Sequence, residues 1–156
     1  MTTSSVTFDT FSLEREYAVP VARVFRVFAD PDAKSGLMDE TGDGSGGQGG
    51  YDTFEFRVGG AERFSFREPD GRLMTYAATY YDIVDHERIV YAYEMCADGA
   101  RISVSVATLQ FVATSGGTKL TWTEQGAYLD GFDHPELRRG GTDWMLDNLT
   151  THFAAS

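Results

Sequence analysis

Cysteine is almost absent from this chain. Cys96 stands alone among 156 residues, so no internal disulfide can staple the fold, which fits a reducing, cytoplasmic setting. Basic residues are also scarce: 13 Lys and Arg face 24 Asp and Glu, for a formal charge of −11. A surface of that sign repels phosphate backbones and anionic headgroups and argues against nucleic-acid and membrane partners. No apolar run approaches the ~18 residues needed to cross a bilayer. The opening Met1-Thr2-Thr3-Ser4-Ser5 has neither the charge nor the apolar core of a secretory leader.

Several chemistries lack their residues. The three histidines, His86, His134 and His152, are too far apart for a zinc site, so no metal is expected. Ser103 and Ser105 lie in a strand pattern rather than a G-x-S-x-G elbow, and Cys96 has no histidine or asparagine motif beside it. Gly44 to Gly49 matches G-x-G-x-x-G formally, but a strand follows it where a phosphate-binding helix is required. Asp39 to Gly44 is faintly like a calcium loop, yet Gly50 stands where the bidentate glutamate belongs. No cofactor is expected.

What remains is a soluble globular composition, 42% hydrophobic and 24% charged, of a length for one domain over 1–156. Val6 to Tyr17 reads as a first strand. Pro20 then opens a helix carrying Val21, Val24, Phe25 and Phe28 at helical spacing, and Asp30-Pro31 restarts a short second one. Six of the nine residues in 42–50 are glycine, so this segment is expected to be among the most mobile. Strands follow in quick succession: Phe54, Phe56 and Val58 alternate with polar residues, as do Phe64 and Phe66. Pro69-Asp70-Gly71, Asp85-His86-Glu87, Asp98-Gly99 and Gly116-Gly117 mark the later turns. A long helix from Pro135 to about Phe153 closes the chain. Its expected inner face carries Leu137, Gly141, Trp144, Asn148, Leu149 and His152.

The segments Tyr17 to Pro31, Phe54 to Tyr91, and Gly117 to Gly126 with Gly141 to Leu149 together resemble the START-like (SRPBCC) superfamily. The branch is that of the activator of heat-shock protein 90 ATPase homologue domain. The resemblance covers about 11–153 and departs after Asp30-Pro31, where Lys34-Ser35-Gly36-Leu37-Met38 replaces the tryptophan usual there. It implies an α+β helix-grip fold: six to seven antiparallel strands wrapped around a long C-terminal helix, with two short helices after the first strand.

It also implies a cavity between sheet and long helix, and so a small hydrophobic molecule as partner, in a role that is stress- or chaperone-related. A chaperone is a further possible partner, and the chain is expected to be a monomer or homodimer. The candidate ligand wall is Phe54, Phe56, Phe66, Tyr91, Tyr93, Trp122, Glu124, Trp144 and Asn148, aromatic bodies with a few polar tips. Both indoles are expected to face inward. Glu124 shares a strand face with Leu120 and Trp122, where an ionised carboxylate is costly unless paired. It is either ion-paired, at a fraying strand end, or a polar group in the cavity. The rival reading is an enzyme of the aromatase/cyclase type, using Glu124, Tyr91 or His152 as acid or base.

Overall fold

A computed structural model describes residues 4–39 and 50–154. Strand β1 (Val6–Tyr17) is followed by helices α1 (Val21–Ala29) and α2 (Pro31–Asp39). Strands β2 (Gly50–Phe54), β3 (Ala61–Arg67), β4 (Leu73–Val84), β5 (Arg88–Ala97), β6 (Ala100–Thr114) and β7 (Gly117–Leu129) come next, and α3 (Pro135–Ala154) ends the chain. The seven strands form one antiparallel sheet in the order β1-β7-β6-β5-β4-β3-β2. This is the helix-grip arrangement that the resemblance implied. The glycine-rich residues 42–49 lie outside the described residues, and Gly50 already belongs to β2.

Strand alternation sets the inner face. Phe11, Leu13 and Tyr17 of β1 and Leu120, Trp122 and Glu124 of β7 turn inward, as do Ala107, Leu109 and Phe111 of β6. Helix α1 lays Val24, Phe25, Val27 and Phe28 on this surface, with the Phe25 and Phe28 rings edge-on to Phe111 at 5.3 and 6.0 Å. Helix α3 is pinned to β1 by the Tyr17 hydroxyl, which donates to the Leu146 carbonyl at 2.7 Å, and by Arg15, which pairs with Asp143 and Asp147.

The β6–β7 turn requires glycine. Gly117 has φ +149°, and a Cβ there would stand 2.1 Å from the Tyr17 carbonyl oxygen. The first strand thus passes too close for any side chain, and Thr118 Oγ1 donates to the Val19 carbonyl beside it.

Two expectations are corrected. The pattern at Phe54, Phe56 and Val58 is not one strand: β2 stops at Phe54. Residues 55–60 form a tight turn in which Arg57 N–H donates to the Glu55 carbonyl and Gly60 N–H to the Arg57 carbonyl. These local bonds outcompete a continued ladder, leaving Val58 exposed. The inner stripe of α3 is also rotated from the expected one. Thr142, Leu146, Leu149 and Phe153 are buried, while Leu137 is 68% and Trp144 40% exposed, so Trp144 does not face the interior. The stripe begins at Arg138, four residues before Thr142, and a charged residue at its head disguises it.

Candidate functional site

The helices cover the sheet unevenly. Helix α1 packs chiefly on β6 and β7, α3 on β1 and α2, and α2 reaches β2. Among the described residues no helix lies broadly over the inner face of β3, β4 and β5. That less closely covered face is aromatic, with Tyr80, Tyr91 and Tyr93 buried in it. Register places Glu62 beside Ala78 and Ala78 beside Tyr93, with Phe64 beside Tyr76 and Tyr80 beside Tyr91. Phe54, Phe56, Phe66, Tyr76 and Met95 there are only partly buried, although their neighbours are core residues. Tyr76 packs its ring 5.0 Å from Tyr93, and Tyr91 lies 5.9 Å from both Tyr93 and Tyr80.

Two charged networks flank this aromatic wall. At one end Glu124, 1% exposed, accepts from the Tyr93 hydroxyl at 2.8 Å and from the Trp122 indole N–H at 3.3 Å. Arg138 enters from the first turn of α3 and donates to the Tyr93 hydroxyl at 2.8 Å and to Ser103 Oγ at 2.9 Å. It also pairs with Asp133, and its guanidinium lies over the rings of Tyr93 and Tyr128. Small residues make the room: Ser103, Ser105 and Gly126 share this corner, and a Cβ on Gly126 would sit 2.9 Å from Ser105 Oγ. Burial pushes the Glu124 carboxyl above its ordinary range, outweighing the Tyr93 bond, the Arg138 charge and the Trp122 bond that hold it down.

At the other end Lys34 of α2 donates to both oxygens of Glu62, at 2.8 and 3.0 Å. The Tyr80 hydroxyl donates to the same carboxylate. The ammonium also sits over the rings of Phe54 and Tyr91, at 5.8 and 5.7 Å. One buried ion pair thus ties α2 to the far side of the sheet.

Most of the sequence-expected wall is brought together: Phe54, Phe56, Phe66, Tyr91, Tyr93, Trp122 and Glu124 all belong to the inner face. Of the three alternatives for Glu124, the ion-paired one fits the geometry, with Arg138 Nη1 at 3.9 Å. Trp144 stands apart on the exposed flank of α3. Asn148, on the same helix, has a buried Nδ2 with no hydrogen-bond partner.

His152 follows Arg138 by fourteen residues, about 21 Å along the helix axis, and packs edge-on against Phe153. His152 therefore stands well away from Glu124 and Tyr91. No group of three or more His, Cys, Asp or Glu suited to a metal occurs among the described residues, and no helix there is long and apolar enough to cross a membrane.

Sequence reasoning missed Glu62, Tyr76, Tyr80, Lys34 and Arg138. Glu62 could have been found, since it precedes Phe64 and Phe66 at the strand period of two. Lys34 and Arg138 carried no such signal.

Comparison with known proteins agrees with this architecture. No curated protein matches the chain. An uncharacterized protein of Rhizobium leguminosarum is 40% identical, with 99% of this chain and 100% of that one covered and a TM-score of 0.90. A protein of Rhizobium loti is 37% identical over 94% and 98%, with a TM-score of 0.84. One from Chromobacterium violaceum is 26% identical over 91% and 95%, with a TM-score of 0.73. The family model described as Activator of Hsp90 ATPase homolog 1-like protein matches residues 18–154. With nearly the whole chain matched on a START-like helix-grip fold, this protein belongs to the Activator of Hsp90 ATPase homolog 1-like family.

Proposed function

We propose that this protein binds a small, largely apolar molecule against the inner face of β3, β4 and β5. The observation that carries this reading is the uneven cover of the sheet. Phe54, Phe66, Tyr76 and Met95 keep accessible surface on the side of the sheet where Leu109, Leu120 and Leu149 have none. Partly covered aromatics facing inward are a wall awaiting an occupant, since burying each apolar Å² yields about 25 cal/mol. The flanking ion pairs favour binding over catalysis. Glu124 accepts from Tyr93 and Trp122 and is 1% exposed, so its carboxylate is engaged inside the wall rather than presented to a bound molecule. A stress-related or chaperone-associated role rests on the family's name alone.

The test is a titration with small aromatic and aliphatic compounds followed by amide and methyl NMR. Resonances of Phe66, Tyr76 and Met95 should move, those of Leu120 and Leu109 much less. A saturating ligand at 100 times its Kd should stabilise the fold by about 2.7 kcal/mol. Shifts confined to the outer face, where Phe8, Val104 and Val106 line a shallow groove of about 280 Å³, would overturn the assignment. Chemical conversion of a bound compound, abolished by Glu124→Gln with affinity kept, would instead establish the enzymatic reading.

A further inference from the structure

Four tyrosines of β4 and β5 belong to the aromatic wall, and their hydroxyls are not equivalent. Those of Tyr80 and Tyr93 each donate to a buried carboxylate, Glu62 and Glu124 respectively. Those of Tyr76 and Tyr91 have no hydrogen-bond partner among the described residues, although Tyr91 is only 5% exposed. Neither oxygen is among the described buried side-chain atoms left without a partner, which are Ser105 Oγ and Asn148 Nδ2, so both hydroxyls are open to a ligand. The two belong to one cluster, since both rings pack against Tyr93. Burial raises both phenols well above their ordinary value, so each remains an O–H donor at any physiological pH.

The charges nearby restrict what these donors can meet. Lys34 is already matched by Glu62, and Arg138 by Asp133 with Glu124 close by. An anionic ligand would add a further negative charge beside two buried carboxylates, where the described cations Lys34 and Arg138 are already engaged.

Resting on the binding reading above, we infer that the ligand carries a neutral hydrogen-bond acceptor, a carbonyl-type oxygen on an apolar body, received by the hydroxyls of Tyr76 and Tyr91. The apolar body lies along Phe54, Phe66 and Met95, and the oxygen reaches inward to the phenols. These two residues then discriminate among ligands of similar shape, while the aromatic wall supplies most of the affinity.

Matched probes separate this inference from the reading beneath it. 1-Tetralone and tetralin share one carbon skeleton and differ by a carbonyl oxygen, as do fluorenone and fluorene. Plain burial favours the hydrocarbons, which are the more apolar. Binding would be measured by NMR titration for the wild type, Tyr91→Phe and Tyr76→Phe. Neither phenylalanine substitution breaks an internal hydrogen bond, so both variants should fold.

The wild type should bind each ketone about tenfold more tightly than its hydrocarbon, the size of one well-made hydrogen bond. Each variant should lose most of that preference and keep its hydrocarbon affinity within about twofold. Equal binding of ketone and hydrocarbon, or an undiminished preference in both variants, would overturn the acceptor inference and leave the binding reading standing. Tighter binding of 2-naphthoate than of either ketone would overturn its neutrality. Binding of none of the probes would remove both readings together.

Discussion

The two halves of the sheet put their inward-facing side chains to opposite ends. In the half built from β1, β7 and β6, aliphatic side chains from strand and helix interlock: Leu109, Leu120, Leu146 and Leu149 are all fully buried. In the half built from β2 to β5, tyrosine and phenylalanine dominate, helical cover thins, and each polar tip needs a partner. The first half buries surface and stays shut. The second keeps part of its apolar surface accessible and is held by ion pairs at its ends. What separates the two halves here is which strands the helices cross, more than how hydrophobic those strands are.

That contrast can be broken at the ion pairs first. Arg138→Met leaves the buried Glu124 and the half-buried Asp133 without their counter-charge and should cost about 3–5 kcal/mol, read from urea unfolding. Adding Glu124→Gln should recover part of the loss. A cost below about 1 kcal/mol would mean that this corner is wet and the network loose.

Truncations then compare the halves directly. Leu109→Ala should cost about 2–5 kcal/mol. Phe66→Ala, the larger truncation, should cost less than Leu109→Ala because Phe66 is only partly buried. Equal losses would show that the aromatic half is packed as densely as its neighbour.

A pH series sharpens the picture at Glu124. Its folded carboxyl titrates above its unfolded value, so the folded state holds the proton more tightly. The contribution is present below the ordinary carboxylate range and is lost as pH rises through the raised folded value. Wild type should therefore lose stability relative to Glu124→Gln as pH rises from 4 to 8. A difference that stays flat, or reverses, contradicts burial as the ruling influence. The smallest effect is expected at Lys119→Ala, where an exposed pair with Glu14 spans β1 and β7 at 3.7 Å; the change should stay within about 0.5 kcal/mol.

Much of this was legible in the sequence, and for a specific reason. The period-two alternation through Phe64–Phe66, Ile89–Met95 and Leu120–Glu124 reports which face is buried, and the sheet's pleat leaves no other arrangement. The glycine-bearing turns mark where strands reverse. The reading failed where polar groups face inward. Arg138 heads the buried stripe of α3, and apolar periodicity alone places the helix face one residue off, with Trp144 inward. Lys34 was invisible likewise, because its burial depends on Glu62, which is distant in sequence. Phe56 kept the right alternation in a segment that local turn bonds had removed from the strand.

The pairing of β1 with β7 has a consequence for synthesis. Tyr17 lies opposite Thr118, so roughly a hundred residues must leave the ribosome after β1 before its partner exists, about 5–20 s at ordinary elongation rates. During that interval β2 to β6 can close hairpin by hairpin, each with its immediate neighbour, while β1 waits unpaired with Phe8, Phe11 and Leu13. When β7 appears it zips at once to β6 and offers a fresh edge. That edge also fits a β1 from a neighbouring nascent chain, against the advantage of the tethered one, so strand exchange between polysomal neighbours is the misassembly to which this topology is open.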